Sequence, residues 1–208
     1  RRGLFNTMMV TKTSLVNGDI AANSYAYLLE DLRVEETIIP FAAVALDLRS
    51  GESVVLKKGQ LREVIAASGA MPGALNPVKL EGRLLVDGGW SSTVPIAAAR
   101  QLGADFVIAV DVGDAPGVFK EPRNALDVIA RADALARAAL NREQLKDADI
   151  VLSPKNGVAH WADFSTTTRA IDRGEVEVEV QIGALQSRLK KESRPKAFAL
   201  GRLLGLPQ

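Results

Sequence analysis

The sequence predicts an α/β protein built around a layered sheet, and the pattern of its apolar runs carries that expectation. From Pro40 onward short apolar runs alternate with amphipathic stretches, and glycine or proline separates them. Phe106-Val107-Ile108-Ala109-Val110 is continuously apolar, as a strand buried in a parallel sheet is. At 208 residues the chain can bury one core, so a single domain is expected, with an N-terminal helical segment over 1–39, a core over 40–190 and a basic tail over 191–208.

The elements follow in order. Helix is expected around Ile20 to Glu30. Phe41 to Leu48 and Ser53 to Leu56 flank Gly51 and read as a β-hairpin. Leu61 to Ala67 is a short helix that Ser68-Gly69-Ala70-Met71-Pro72-Gly73 ends, because glycine and proline are poor helix-interior residues. Val78 to Leu80 and Arg83 to Val86 form a second hairpin around Glu81-Gly82. Pro95 suits the first turn of a helix to about Leu102, where Gly103 supplies a stop. Asn124, with Asp127 three positions on, caps a helix from Ala125 to about Asp147. Its Leu126, Ile129, Leu135, Ala139 and Leu140 fall largely on one face. Ile150 to Leu152 is a last strand, and two helical stretches follow, Ser165 to Arg173 and Glu177 to about Lys191.

Composition closes several classes of function. With 26 basic and 25 acidic residues, the net charge of +1 gives no bulk field that would select nucleic acid. The absence of cysteine removes disulfides, thiolate catalysis and cysteine-based zinc sites. No apolar run reaches the roughly 18 to 20 residues of a membrane-spanning helix, and no signal-peptide pattern is visible. A soluble or peripheral membrane protein is expected. Because the chain opens on Arg1-Arg2-Gly3 without an initiator methionine, the compartment is left open.

The feature with most chemical content is Leu84-Leu85-Val86-Asp87-Gly88-Gly89, a carboxylate at the end of an apolar strand followed by two glycines. Open α/β sheets present reactive groups at strand carboxyl ends. Asp-Gly is also among the commonest turn pairs, so alone the motif is more often structural. Its surroundings change the reading. In order come Ala45-Leu46-Asp47-Leu48, Gly51-Glu52, Ala67 to Gly73, Gly82 to Gly89, Val94-Pro95, Leu102-Gly103-Ala104-Asp105 and Val107 to Val112. This series resembles the patatin-like phospholipase family over about Pro40 to Val112. Asp163-Phe164 with Ile171, Gly174 and Glu175 resembles its later helical region. Several spaced motifs agree, where each alone would be weak.

The resemblance implies a layered α/β/α fold with a mostly parallel central sheet, and a serine-dependent lipid acyl hydrolase with no metal or organic cofactor. In that family a serine in Gly-x-Ser-x-Gly attacks the ester, a glycine-rich loop supplies oxyanion donors, and the aspartate of Asp-Gly-Gly activates the serine without a histidine. Only the last part maps here, onto Asp87, with Gly88, Gly89 and Ser68 in the loops around it. Ser53 and Ser91 each have glycine two positions before, but Val55 and Thr93 two positions after, so neither is a nucleophile elbow. No Gly-x-Gly-x-x-Gly is present. The chain therefore resembles a C-terminal portion, the nucleophile half lying in the same or a companion chain and the substrate being a phospholipid or simpler acyl ester. Alone it is expected to be inactive. The alternative is a non-catalytic lipid-binding or scaffold protein that keeps the fold without the chemistry.

Other candidates have plainer readings. His160, the only histidine, would be needed for a Ser-His-Asp triad, yet a lone histidine beside Trp161 is more often a structural or surface residue. The Ser68 hydroxyl reads first as part of a helix-terminating turn. Asp111-Val112-Gly113-Asp114 follows a strand but has no phosphate-cradling glycine loop, so a strand terminus is favoured over a nucleotide or metal site. Arg188, Lys190, Lys191, Arg194, Lys196 and Arg202 interleave with Phe198, Leu200, Leu203 and Leu204. Peripheral contact with a lipid surface is one reading of this tail, and a solvated tail interrupted by Pro195 is the other.

Overall fold

In the computed structural model of the chain, the residues described are 29, 31–113, 119–155 and 164–192. Most of the helix expected around Ile20 to Glu30, and most of the basic tail, fall outside them. Strands β1 (Ala43–Asp47), β2 (Ser53–Leu56), β3 (Val78–Leu80) and β4 (Arg83–Asp87) make one sheet in the order β2-β1-β4-β3. The two expected hairpins are its halves. Gly51 at φ 75° turns the first, and Glu81 at φ 48° with Gly82 at φ 76° turns the second, both central residues being left-handed as a tight hairpin turn requires. β1 then pairs with β4, setting Ala45 opposite Asp87 and Asp47 opposite Leu85.

Strands β5 (Ile108–Val110) and β6 (Ile150–Leu152) form a separate parallel pair. The α/β class holds. The expectation of a mostly parallel sheet does not carry over to the described residues, where three strand pairings are antiparallel and one is parallel. The reason is connection length. The turns at 48–52 and 81–82 can only reverse the chain, whereas a parallel pair needs a crossover of about a dozen residues or more. β5 and β6 have one, over 111–149.

Helix α1 (Leu61–Ser68) covers the four-stranded sheet with Leu61, Val64 and Ala67, spaced three apart on one face, packed with Val34, Ala45, Leu56 and Leu85. Val64 is fully buried. Val64→Ala, which removes two methyl groups from this face, is expected to lower unfolding free energy by about 2 kcal/mol in a urea titration. A second core joins Val94 and Ile96 to Val107 and Ala109 of the β5 region. Helix α2 (Ile96–Gln101) starts after Pro95 and stops before Gly103 at φ 97°.

Helix α3 (Ala125–Gln144) is capped as expected: Asn124 Oδ1 accepts from the Asp127 N–H at 2.9 Å. Its orientation differs from expectation. Leu126, Ile129, Leu135, Ala139 and Leu140 are exposed among the described residues, while Asn141 is buried. Helix α4 (Thr167–Glu192) is continuous where two stretches were expected. Gly174, the glycine between the two expected stretches, costs about 1 kcal/mol in a helix interior, too little to break one of 26 residues. No described helix is long and apolar enough to cross a membrane.

Asp47 is the buried carboxylate that ties the two hairpins together. Its Oδ1 accepts from the Arg49 N–H at 3.1 Å and the Leu84 N–H at 3.3 Å, and Oδ2 from Ser50 Oγ at 3.3 Å and Arg83 at 3.4 Å. The Arg49 N–H, opposed by burial and assisted by Leu84, Ser50 and Arg83, holds this carboxyl below its ordinary range. Asp149 is lowered likewise by the Val107 N–H and Arg100. Glu35 is lowered to about 2 by its own N–H, then Arg33, then the Gly59 N–H. All three are depressed in the folded state. The stability they contribute is full above the unfolded values, near 4, and is lost as pH falls through the folded ones. The urea midpoint is therefore expected to hold from about pH 7 to 5 and to fall progressively toward pH 2, and Asp47→Asn is expected to flatten part of that fall.

Candidate active site

Asp87 is the last residue of β4, and the chain turns there into a 3-10 turn, Gly88–Trp90, that Asp87 caps. Its Oδ1 accepts from the Gly89 N–H at 2.7 Å. Among the described residues Oδ2 takes no hydrogen bond, and the side chain is half-buried. One oxygen is thus fixed by the backbone.

Two neighbouring strands and a loop set where this carboxylate stands. The Asp87 N–H donates to the Ala70 carbonyl at 2.9 Å, which joins it to the Ser68–Gly73 loop. Ser68 Oγ donates to the Val44 carbonyl at 2.8 Å. Gly88 lies on the same carbonyl: a Cβ added there would sit 2.2 Å from Val44 O and 2.7 Å from Val44 C. Ser68, Asp87 and Gly88 therefore meet around the start of β1, and only glycine fits the closest contact. The Ser68 hydroxyl is engaged by a backbone carbonyl of β1, 24 residues away, and not within the turn that ends α1.

Hydroxyls downstream fasten the turn. Ser91 Oγ donates to the Gly88 carbonyl and Thr93 Oγ1 to the Gly89 carbonyl, each at 3.2 Å. Side chains of α3 hold it from outside. Trp90 Nε1 donates to Asp133 Oδ1 at 3.1 Å, Arg137 Nε donates to Asp133 Oδ2 at 2.8 Å, and the Arg137 guanidinium lies 4.5 Å from the Trp90 ring centroid. Gln144 Nε2 donates to the Ser91 carbonyl at 2.9 Å. Sequence reading had attended to the apolar residues of this helix and missed these polar ones. The spacing of Asp133, Arg137, Asn141 and Gln144, four, four and three apart, was the available signal for a polar face.

Asp111 Oδ1 accepts from the Gly113 N–H at 3.0 Å and Asn141 Nδ2 at 3.2 Å, so this aspartate anchors α3 to the end of β5. Among the described residues no group of three or more histidine, aspartate or glutamate side chains could hold a metal ion. His160 lies outside the described residues, as do Arg194, Lys196 and Arg202. An apolar groove of about 790 Å³ runs between β5 and α4, lined by Val110, Val112, Ile171 and Val178 among others. None of Ser68, Asp87, Gly88 and Gly89 lines it.

Comparison with known proteins bears on the same loop. Residues 5–100 match the family model for patatin-like phospholipase. An NTE family protein of Mycobacterium tuberculosis is 43% identical over 79 residues, covering 38% of this chain and 22% of the relative. Patatin-like phospholipase domain-containing protein 7 of Mus musculus is 30% identical over 126 residues, covering 60% of this chain and 9% of the relative. Patatin-like phospholipase domain-containing protein 6 of Homo sapiens is 34% identical over 103 residues, covering 49% and 8%. The chain thus spans about a fifth of the mycobacterial relative and under a tenth of the mammalian ones. Residues 5–100, the segment that contains the Asp87 turn, are thus similar to the patatin-like phospholipase family and to the patatin-like phospholipase domains of these relatives.

Proposed function

We propose that this chain is the aspartate-bearing part of a serine-dependent acyl ester hydrolase acting on phospholipids or simpler acyl esters. The observation that carries the reading is the Asp87 carboxylate at the end of β4, with Oδ1 held by the Gly89 N–H and Oδ2 without a partner among the described residues. In this reading residues 1–208 form one partial domain, and the serine of a Gly-x-Ser-x-Gly elbow comes from a part of the protein outside this sequence.

The chemistry asked of Asp87 is proton transfer. A serine hydroxyl is a weak nucleophile until a base takes its proton. Oδ2 accepts that proton as the serine oxygen bonds to the ester carbonyl carbon, and backbone donors elsewhere stabilise the oxyanion. When the tetrahedral intermediate collapses, the bond to the leaving alcohol breaks and Oδ2 returns the proton to it. Water then attacks the acyl-enzyme, giving its proton to Oδ2, and the serine leaves with that proton as the fatty acid is released. Gly88 and Gly89 keep bulk away from the carboxylate.

The deciding experiment is labelling of the complete protein, with any companion chain, by a serine-directed phosphonate. Covalent labelling of one serine, with loss of esterase activity in proportion, is expected. No labelling and no turnover of phospholipid or short-chain ester would instead make this a lipid-binding or scaffold protein.

A further inference from the structure

Two glycines follow Asp87, so the backbone that carries its carboxylate has little stiffness of its own in the direction of Trp90. What fixes that side is α3. The Trp90 indole N–H reaches Asp133 Oδ1 at 3.1 Å, and the other oxygen of Asp133 is held by Arg137 at 2.8 Å, whose guanidinium also stacks on the same indole. The three groups form a closed set: each touches the other two. Gln144 adds a second tie, to the Ser91 carbonyl, and Asn141 fastens the helix to Asp111 at the end of β5. Helix α3 is therefore fixed to one strand end and grips the turn that leaves another.

Such a grip is more than is needed to keep the turn folded. Gly88 is already clamped on Val44, and the hydroxyls of Ser91 and Thr93 already close the turn's carbonyls. Charged groups on a half-buried indole add directional restraint at the cost of desolvation. We propose that Asp133, acting through Trp90 and oriented by Arg137, is a positioning residue that sets where the Asp87 carboxylate stands for proton transfer. This rests on the reading of Asp87 as the base. Misplacement of a reacting group by about 1 Å can cost on the order of a hundredfold in rate. A partial loss of restraint, with Gln144 still in place, is expected to cost less.

The test uses the complete protein, with the concentration of competent sites counted by phosphonate titration so that misfolded material drops out. Asp133→Ala is expected to lower kcat per titrated site about tenfold with KM changed less than about twofold. Asp133→Asn is expected to recover part of that loss, because its amide oxygen still accepts the indole N–H while its NH2 group cannot accept from Arg137. Trp90→Phe keeps the packing, removes the donor and is expected to resemble Asp133→Ala. An unchanged kcat per titrated site in Asp133→Ala and Trp90→Phe, with Asp87→Asn inactive, overturns the positioning role alone. Full activity in Asp87→Asn overturns the base assignment and this inference with it.

Discussion

Replacing Gly88 by alanine is expected to be the most disruptive glycine-to-alanine change among the described residues, lowering stability by about 3 kcal/mol or more. The added Cβ would stand 2.2 Å from the Val44 carbonyl oxygen and 2.7 Å from its carbon. These are backbone atoms of β1, whose pairing with both β2 and β4 leaves no room to retreat. Relief requires prying β4 from β1 beside Asp87, so the esterase activity proposed for the complete protein is expected to disappear as well. Gly89→Ala is the control. Its Cβ would meet only the tip of Asp87, at 3.1 Å, and its backbone is not in the left-handed region. It is expected to cost about 1 kcal/mol or less in stability while moving the carboxylate enough to lower kcat. Urea unfolding followed by circular dichroism, with activity on one ester substrate, separates the two variants. A Gly88→Ala protein as stable as Gly89→Ala would refute the contact with Val44.

That contact could not be read from the sequence, although the motif around it could. Local signals sufficed wherever one element fixed its own form. The left-handed turn at Glu81-Gly82, the stop at Gly103 and the cap of Asn124 on Asp127 are decided within a few residues, and each was legible. Strand direction was legible from turn length, since turns as short as 48–52 and 81–82 allow only reversal. The mostly parallel sheet came instead from the family resemblance, and the described residues hold a four-stranded antiparallel sheet beside one parallel pair. What periodicity could not decide was which face of α3 turns inward. Its apolar residues lie exposed among the described residues, and its polar stripe meets the Asp87 turn and Asp111. Periodicity reports that a helix has two faces. It does not name the neighbour of each.

The same division holds for the site. Asp87, Gly88, Gly89 and Ser68 were picked from sequence, and the fold brings them together around Val44 through pairings between strands far apart in the chain. Ser68 was legible as a residue of the right loop, but the destination of its hydroxyl depends on where the start of β1 packs. Trp90, Asp133, Arg137 and Gln144 carry no motif, and residues 90 and 133 are linked only by the packing of α3 against the turn.

On the proposed reading of Asp87 as general base, Asp87→Asn is expected to lower kcat of the complete protein by about 10² to 10⁴-fold, the span that a positioned general base contributes. Asparagine is nearly isosteric, and its amide oxygen can still accept from the Gly89 N–H, the one hydrogen bond that the side chain makes among the described residues. The backbone bond from residue 87 to the Ala70 carbonyl is untouched. The fold should therefore stay intact, with unfolding free energy changed by less than about 1 kcal/mol. What is lost is confined to the other oxygen, where a neutral amide group cannot take up a proton. Two measurements distinguish this from a change in binding. The loss should fall in kcat with KM little altered, and the serine should react with a phosphonate more slowly by a similar factor, because that reaction needs the same proton removed. A raised KM at constant kcat would place Asp87 in substrate binding instead. Equal activity would leave the carboxylate with a turn-capping role, the plain reading of Asp-Gly-Gly as a sequence.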